Sequence, residues 1–308
     1  MGKIKLVIGV LIFILTFFVH AENIRVYFAP DHKVDRIILE SIKHAKKSVY
    51  IASYTFNWPE ANDTLSKCVK NGVDVKMLLQ FSTPYLSNNI PVKIWKKKSS
   101  ILHAKFAIID GNCVFVGSAN FTDSSLGWDS NNILFIDDKE IADFFSRNFM
   151  HLWLNLSLSD CYFLKKDYIE IYFSPLSDCL SIINNHIKQA RQMIRFAMFS
   201  FTLDAIGQEI CRAGLKGIKT YGIFEKSQNP VSNEYYFLKK LPFIHIKRDC
   251  FVKNIHDKFL IIDDNIVLTG SFNYTQSARK NIETLIVLRN NCLVSQYVKR
   301  WKHLWLWY

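Results

Sequence analysis

Apolar residues recur along this chain with two periods, and the changes between them mark out the elements. Residues 34–45 place Val34, Ile37, Ile38 and Ile42 at helical spacing and end in lysines, which suit the negative pole of a helix. Residues 49–54 are short and rich in β-formers, and the run from Val73 to Leu79 follows Gly72 as a strand follows a finished helix. Residues 106–109 and 259–262 are apolar throughout, as expected of a central strand covered on both faces. Strands alternating with helices in this way predict an α/β fold whose helices cover the faces of a mixed sheet.

The pattern occurs twice. Val26-Tyr-Phe-Ala-Pro30 returns 145 residues later as Ile171-Tyr-Phe-Ser-Pro175, and Ala52-Ser-Tyr-Thr-Phe56 returns at the same interval as Ala197-Met-Phe-Ser-Phe201. Each half then ends alike, in His151-Leu-Trp-Leu154 and His303-Leu-Trp-Leu306. Later in each half the interval grows to 153, which places about eight extra residues in the second half, within 225–241. The predicted architecture is a duplicated α/β/α sandwich of two similar halves, with any site at their pseudo-twofold interface. The expected division is 1–21, 22–157 and 158–308, with the junction near 156–168.

Within each half one spacing of polar residues repeats: H-x-K-x4-D-x6-G-S-x-N. It supplies His103, Lys105, Asp110, Ser118 and Asn120, then His256, Lys258, Asp263, Ser271 and Asn273, each pair 153 residues apart. His and Lys stand at i and i+2, so along an extended segment both side chains point to one side. A pseudo-twofold axis would bring both pairs into one cleft. Two imidazoles and two ammonium groups around one point suit a tetrahedral phosphodiester. One imidazole can attack phosphorus while the other protonates the leaving oxygen. Asn120, Asn273, Ser118 and Ser271 would add donors to the phosphate oxygens. Asp110 and Asp263 are candidates for the same chemistry, but each precedes a turn composition, Gly111-Asn112 or Asp264-Asn265, which fits a structural role as well.

This doubled motif, over residues 24 to 308, resembles that of the phospholipase D superfamily. The superfamily includes phospholipases D, cardiolipin-type hydrolases and synthases, and metal-independent endonucleases. The resemblance implies two similar α/β/α halves, a covalent phosphohistidine and no metal or other cofactor. It further implies His103 as nucleophile, His256 as general acid, and Lys105, Lys258, Asn120 and Asn273 as holders of the phosphate. Members often carry a Glu about ten residues beyond G-S-x-N that fixes the tautomer of a catalytic His. The second half has it in Glu283, whereas the first half reads Asn131-Asn132-Ile133, so the two histidines are expected to differ in basicity.

Composition narrows the partners without choosing among them. The net charge of +12, or +10 without Lys3 and Lys5, favours anionic phosphodiesters, whether phospholipid or nucleic acid. Lys96-Lys97-Lys98 and Lys247-Arg248 precede the two motifs and could form a basic rim. Residues 1–21 combine a basic start, an apolar run over 6–19 and Ala21, the pattern of a cleaved export signal, or of an anchor if retained. A periplasmic or secreted monomer is therefore expected. Of the seven cysteines none forms CxxC or stands near His at finger-like spacing; Cys113 reads as a buried thiol, and Cys161 and Cys179 could pair.

Three functions fit. The first is a phospholipase D acting on a phospholipid headgroup, with Trp307 and Tyr308 as candidates for peripheral membrane contact. The second is an exported non-specific endonuclease, whose binding would be steeply salt-dependent. The third is a non-catalytic phosphate- or membrane-binding protein, against which the intact His103, Lys105, His256 and Lys258 count. Residues 83–90 and 225–241 are the segments expected to line the cleft.

Overall fold

The structure, a computed structural model, describes residues 23–307 except 98, 156–161, 229–233 and 251–252. The expected leader, the 157/158 boundary, Cys161 and Tyr308 lie outside the described residues.

The first half opens with β1 (Ile24–Ala29), α1 (Val34–Lys43), β2 (Ser48–Ser53), β3 (Phe56–Asn57) and α2 (Pro59–Lys70). It continues through β4 (Asp74–Leu79), β5 (Val92–Ile94), β6 (Phe106–Ile109), β7 (Cys113–Gly117) and β8 (Phe121–Thr122). A short α3 (Asp123–Gly127), β9 (Asn131–Asp137) and α4 (Lys139–Trp153) complete it. The second half runs β10 (Phe163–Lys166), β11 (Ile169–Ser174), α5 (Cys179–Lys188), β12 (Met193–Met198), α6 (Asp204–Leu215) and β13 (Lys219–Phe224). It ends with α7 (Tyr235–Lys239), β14 (Ile244–Arg248), β15 (Lys258–Ile262), β16 (Ile266–Gly270), β17 (Glu283–Leu288) and α8 (Asn291–Trp307).

Each half builds one large sheet, and in the first half β3 and β8 pair separately. Seven strands are ordered β1-β9-β7-β6-β2-β4-β5, and eight are ordered β10-β11-β17-β16-β15-β12-β13-β14. Both are mixed: β2 runs parallel to β4 and antiparallel to β6, and β12 runs parallel to β13 and antiparallel to β15. The motif strands β6 and β15 lie inside their sheets and are wholly buried, which is why they carry no polar alternation. Of the extra residues expected in 225–241, those described form α7, which has no counterpart in the first half.

Three apolar clusters define the layers. Helices α1 and α2 cover the outer face of the first sheet, and α5 and α6 that of the second. Between the sheets, α4 and α8 share one core with both inner faces. Phe106 of β6 meets Phe145 of α4 at 5.0 Å and Phe173 of β11, across the middle, at 6.0 Å. Tyr297 of α8 reaches Phe28 of β1 at 5.2 Å and Phe259 of β15 at 5.4 Å. The halves are thus joined by a continuous apolar interior.

The aromatic endings of the halves repeat in detail. Phe149 stacks on Trp153 and Trp301 on Trp305, while Lys93 and Lys247 lie over Trp153 and Trp305 at 4.7 and 5.3 Å. Each lysine also donates to the main-chain carbonyl of its tryptophan, at 2.8 and 2.6 Å, completing a helix C-terminus. Lys247, expected on a phosphate-facing rim, is engaged in this way instead. Trp301 is buried and Trp305 half-buried, whereas Trp307 is exposed at the end of α8. Cys113 opens β7 and is half-buried rather than enclosed, and Cys179 is a buried free thiol at the start of α5.

The glycine of each G-S-x-N is dictated by a close approach of strands. A Cβ on Gly117 would stand 2.1 Å from the Asn132 carbonyl oxygen, and one on Gly270 would stand 2.3 Å from that of Thr284, at φ +128°. Gly117→Ala and Gly270→Ala are each expected to cost about 1–3 kcal/mol of stability, measured by urea unfolding. Wild-type midpoints in both variants would refute this packing.

Candidate active site

The segments that carry the two His-Lys pairs enter β6 and β15 at the same edge of the molecule, and each is held there by the opposite half. The His103 and Ala104 amides donate to the Ile282 carbonyl at 2.9 and 2.7 Å. In mirror fashion, the His256 amide donates to the Ser130 carbonyl at 2.9 Å. Bridges Leu102–Ile282 and Ser130–Ile255 extend both contacts. The main chain therefore crosses the pseudo-twofold axis at the place where the histidines converge.

The imidazoles are completed the same way. His103 Nδ1 meets Glu283 Oε2 at 2.8 Å, and His256 Nδ1 meets Asn131 Oδ1 at 2.9 Å. Asn131 and Glu283 are structural equivalents, since they open β9 and β17 opposite Ala29 and Ser174. Asn131 Nδ2 donates to the Ser125 carbonyl at 2.8 Å, so its oxygen must be the group that faces His256. That acceptor fixes a proton on His256 Nδ1 and leaves Nε2 free for chemistry. Glu283, an acceptor on both oxygens when ionised, does the same for His103. Behind each partner stands a serine: Ser271 donates to Glu283 at 2.6 Å and Ser118 to Asn131 at 2.8 Å. Both hydroxyls are fully buried and committed there, so Ser118 and Ser271 orient the imidazoles' partners rather than meeting phosphate as the sequence suggested.

The lysines lie deep. Lys105 and Lys258 are 1% and 2% exposed, and each ammonium donates to the carbonyl of the histidine two residues before it. Tyr54 and Phe199, at matched places in the two halves, meet the imidazoles at 5.3 and 4.6 Å and underlie the ammonium groups at 5.6 and 4.7 Å. Burial sets the electrostatics. It pushes Lys105 down to about 7 and Lys258, which also feels Lys105, well below the ordinary lysine value. Burial likewise lowers His103, opposed by the Glu283 carboxylate, and lowers His256 further, helped by the charges of Lys258 and Lys105. An anion entering here would relieve every one of these shifts.

Asn120 and Asn273 complete the set differently. Their Oδ1 atoms are buried and have no hydrogen-bond partner among the described residues, which leaves both amides open to a ligand. Asp110 and Asp263 stand at the far ends of β6 and β15. Asp110 accepts from the amides of Lys46, Lys47 and Ser48 at 2.7–3.0 Å, and Asp263 from those of Arg191, Gln192 and Met193 at 2.8–2.9 Å. Both residues have left-handed φ, +54° and +52°, as the turn composition required. These carboxylates fasten the starts of β2 and β12 and do not reach the imidazoles.

Sequence reasoning missed three partners. Gln80 accepts from the Leu102 amide at 2.7 Å, and its equivalent Glu225 accepts from that of Ile255 at 2.5 Å, so each holds the approach to a motif histidine. Their position directly after β4 and β13 was a usable signal. Asp257 lies between His256 and Lys258 where the first half has Ala104, and it accepts from Asn132 Nδ2 at 2.7 Å and the Ser130 hydroxyl at 2.5 Å. Of the segments expected at the cleft, residues 83–90 are tied to α2 through Asn62–Ser87 and Ser66–Asn89 contacts. Phe81, against Tyr54 at 5.1 Å, is the residue that approaches His103 from that side.

Asp110→Ala and Asp263→Ala are expected to lower stability by about 1–3 kcal/mol, because each strands three amides, while kcat per folded molecule stays near wild type. A loss of kcat in a variant with wild-type stability would return these residues to the chemistry.

A family model described as cardiolipin synthase, PLD-like domain, matches residues 38–153 and 183–305. Over 139 residues the chain is 25% identical to a phospholipase D of Rickettsia prowazekii, covering 45% of this chain and 68% of the relative. Over 142 residues it is 26% identical to a mitochondrial cardiolipin hydrolase of Chlamydomonas reinhardtii, covering 46% of this chain and 63% of the relative. Among solved structures, a phosphatidylserine synthase from Haemophilus influenzae Rd KW20 shares the fold, with a TM-score of 0.71 at 14% identity over 92% of this chain and 86% of that one. The family match falls on both halves, each with its own His, Lys and Asn, and on this ground the chain belongs to the phospholipase D superfamily, in the family described as cardiolipin synthase, PLD-like domain.

Proposed function

We propose that this protein is a phosphodiesterase that hydrolyses the headgroup bond of a phospholipid through a covalent phosphohistidine, without a metal ion. The observation that carries the reading is the exchange of Nδ1 partners between halves, which aims two Nε2 atoms with different partners at one cleft. The names of the relatives, phospholipase D and cardiolipin hydrolase, support phosphodiester cleavage and a lipid substrate.

The asymmetry of the partners suits a division of labour. Nε2 of neutral His103 attacks phosphorus; the bond from phosphorus to the headgroup oxygen breaks, and that oxygen takes the proton from His256 Nε2. The phosphorylated imidazole is cationic, and the Glu283 carboxylate on its Nδ1 neutralises it. His256, held by a neutral amide, gives up its proton more readily than a carboxylate-paired imidazole would. Water then loses a proton to His256 and attacks phosphorus, and the P–N bond electrons return to His103. Lys105, Lys258, Asn120 and Asn273 hold the non-bridging oxygens through both steps. Export to a periplasm or beyond, and action as a monomer, complete the proposal.

The deciding experiment pairs headgroup release from mixed phospholipid vesicles with nicking of plasmid DNA, both in excess EDTA. Release that vanishes in His103→Ala, without nicking, is the expected result. Nicking that needs the same histidine, without lipid turnover, would make the protein a nuclease, and loss of activity restored by divalent metal would overturn the metal-free mechanism. A second test is Glu283→Gln. Removing the carboxylate lowers His103 further, so the acidic limb of kcat/KM, where neutral His103 is lost, moves to lower pH, while kcat falls about 10²-fold. An unmoved limb would take the nucleophile's role from His103.

A further inference from the structure

The mouth of the cleft carries large rings turned to solvent. Phe81, Trp128, Tyr236 and Phe237 are 50, 62, 50 and 40% exposed, in a chain whose other rings mostly fill its core. A contact places Phe81 beside a histidine, and the segments that carry the other three are anchored near one. Phe81 leans on Tyr54, which touches His103. Trp128 precedes Asp129, whose carboxylate receives the Asn254 amide at 3.3 Å, two residues before His256. Tyr236 and Phe237 ride on α7, which is fixed by Tyr235 on Phe224 at 5.5 Å and by the Glu234 amide on the Phe201 carbonyl, close after Phe199 and its imidazole contact.

Ring and cation alternate at this rim. The pseudo-twofold axis relates Phe81 to Lys226 and Trp128 to Lys280, so each half presents an aromatic group where the other presents a charge. Lys253 and Lys280 are exposed. Asp249, 3.7 Å from Lys226, and Asp129, near Lys253, offset part of this charge. Attraction to anions is therefore local, and the rings must supply the rest of any adhesion.

We propose that this rim is a docking surface for a bilayer containing anionic lipid. The four rings enter the interfacial layer on both sides of the cleft and the lysines meet headgroup phosphates, a division of roles typical of interfacial proteins. The imidazoles lie at the floor of the same mouth, so a phosphodiester at headgroup depth reaches them while its acyl chains stay in the bilayer. The inference rests on the phospholipid reading above and says how that substrate is met. A single-stranded nucleic acid fits this rim less well. Base stacking asks for rings lining a groove beside its cations, whereas Tyr54 and Phe199 at the floor are occupied by the imidazoles.

The test separates docking from turnover. His103→Ala protein is sedimented with vesicles of phosphatidylcholine alone or mixed with phosphatidylglycerol, with and without the added changes Trp128→Ser, Tyr236→Ser and Phe237→Ser. Binding is expected to favour the mixed vesicles and to fall at least about tenfold in the ring variant. With His103 intact, the ring variant should hydrolyse soluble bis(p-nitrophenyl) phosphate at the wild-type rate, which also verifies its fold. Vesicle binding unchanged by the ring substitutions would overturn the docking surface, even if headgroup release established the substrate. Rim-dependent binding without headgroup release would leave the surface standing and overturn the substrate instead. Rim-dependent retention of a single-stranded oligonucleotide, with no vesicle binding, would assign the rings to nucleic acid.

Discussion

The crossed support of the two imidazoles governs the rest of this molecule. Glu283 completes His103 and Asn131 completes His256, each from the opposite half, and main-chain bonds to Ile282 and Ser130 run beside them. Neither half could orient its own histidine. The interface must therefore be as rigid as a core, and it is: both sheets, α4 and α8 share one apolar interior directly beneath the site. Duplication suits the proposed chemistry, in which a nucleophile and an acid on opposite sides of one phosphorus would stand on two equivalent platforms.

A second constraint follows from burying Lys105 and Lys258 beside two imidazoles. Desolvation and mutual repulsion lower the proton affinity of all four groups, so burying these cations together carries a cost. The missing element is a negative charge, which a phosphodiester brings. The amides of Asn120 and Asn273 stand apart from this argument: their buried oxygens have no partner among the described residues and call for a donor, and only their NH2 groups could meet a phosphate oxygen.

Much of this was legible in the sequence. Doubled spacing revealed the duplication, all-apolar β6 and β15 announced central strands, and the repeated His-Lys pairs marked the segments that the fold brings together. The Glu283/Asn131 asymmetry could also be read, although which histidine each would serve could not, because the contacts cross between halves. The hydroxyls of Ser118 and Ser271 illustrate a related limit: a polar side chain beside a motif asparagine looks like a phosphate donor until its bond to Asn131 or Glu283 is seen. Lys247 illustrates a third limit. A charge near a motif reads as a rim, but the carbonyl end of α8 and the ring of Trp305 lay too far along the chain to be seen as its partners.

The buried network at Asp257 carries one more consequence. Asn132 Oδ1 receives hydrogen bonds from Thr269 at 2.6 Å and from Tyr297 of α8 at 2.9 Å, and Arg300 of α8 donates to Ser130 at 2.9 Å and to the Ala29 carbonyl at 3.0 Å. The last helix therefore locks residues from the start, the middle and the end of the chain around the motif of the second half. Ser130, Asn132 and Asp257 already pair with one another, and Asn132 with Thr269, so α8 adds position to this network rather than its first partners. One helix thus ties the packing of the interior to the geometry of the motif, so that a change in either is felt in the other.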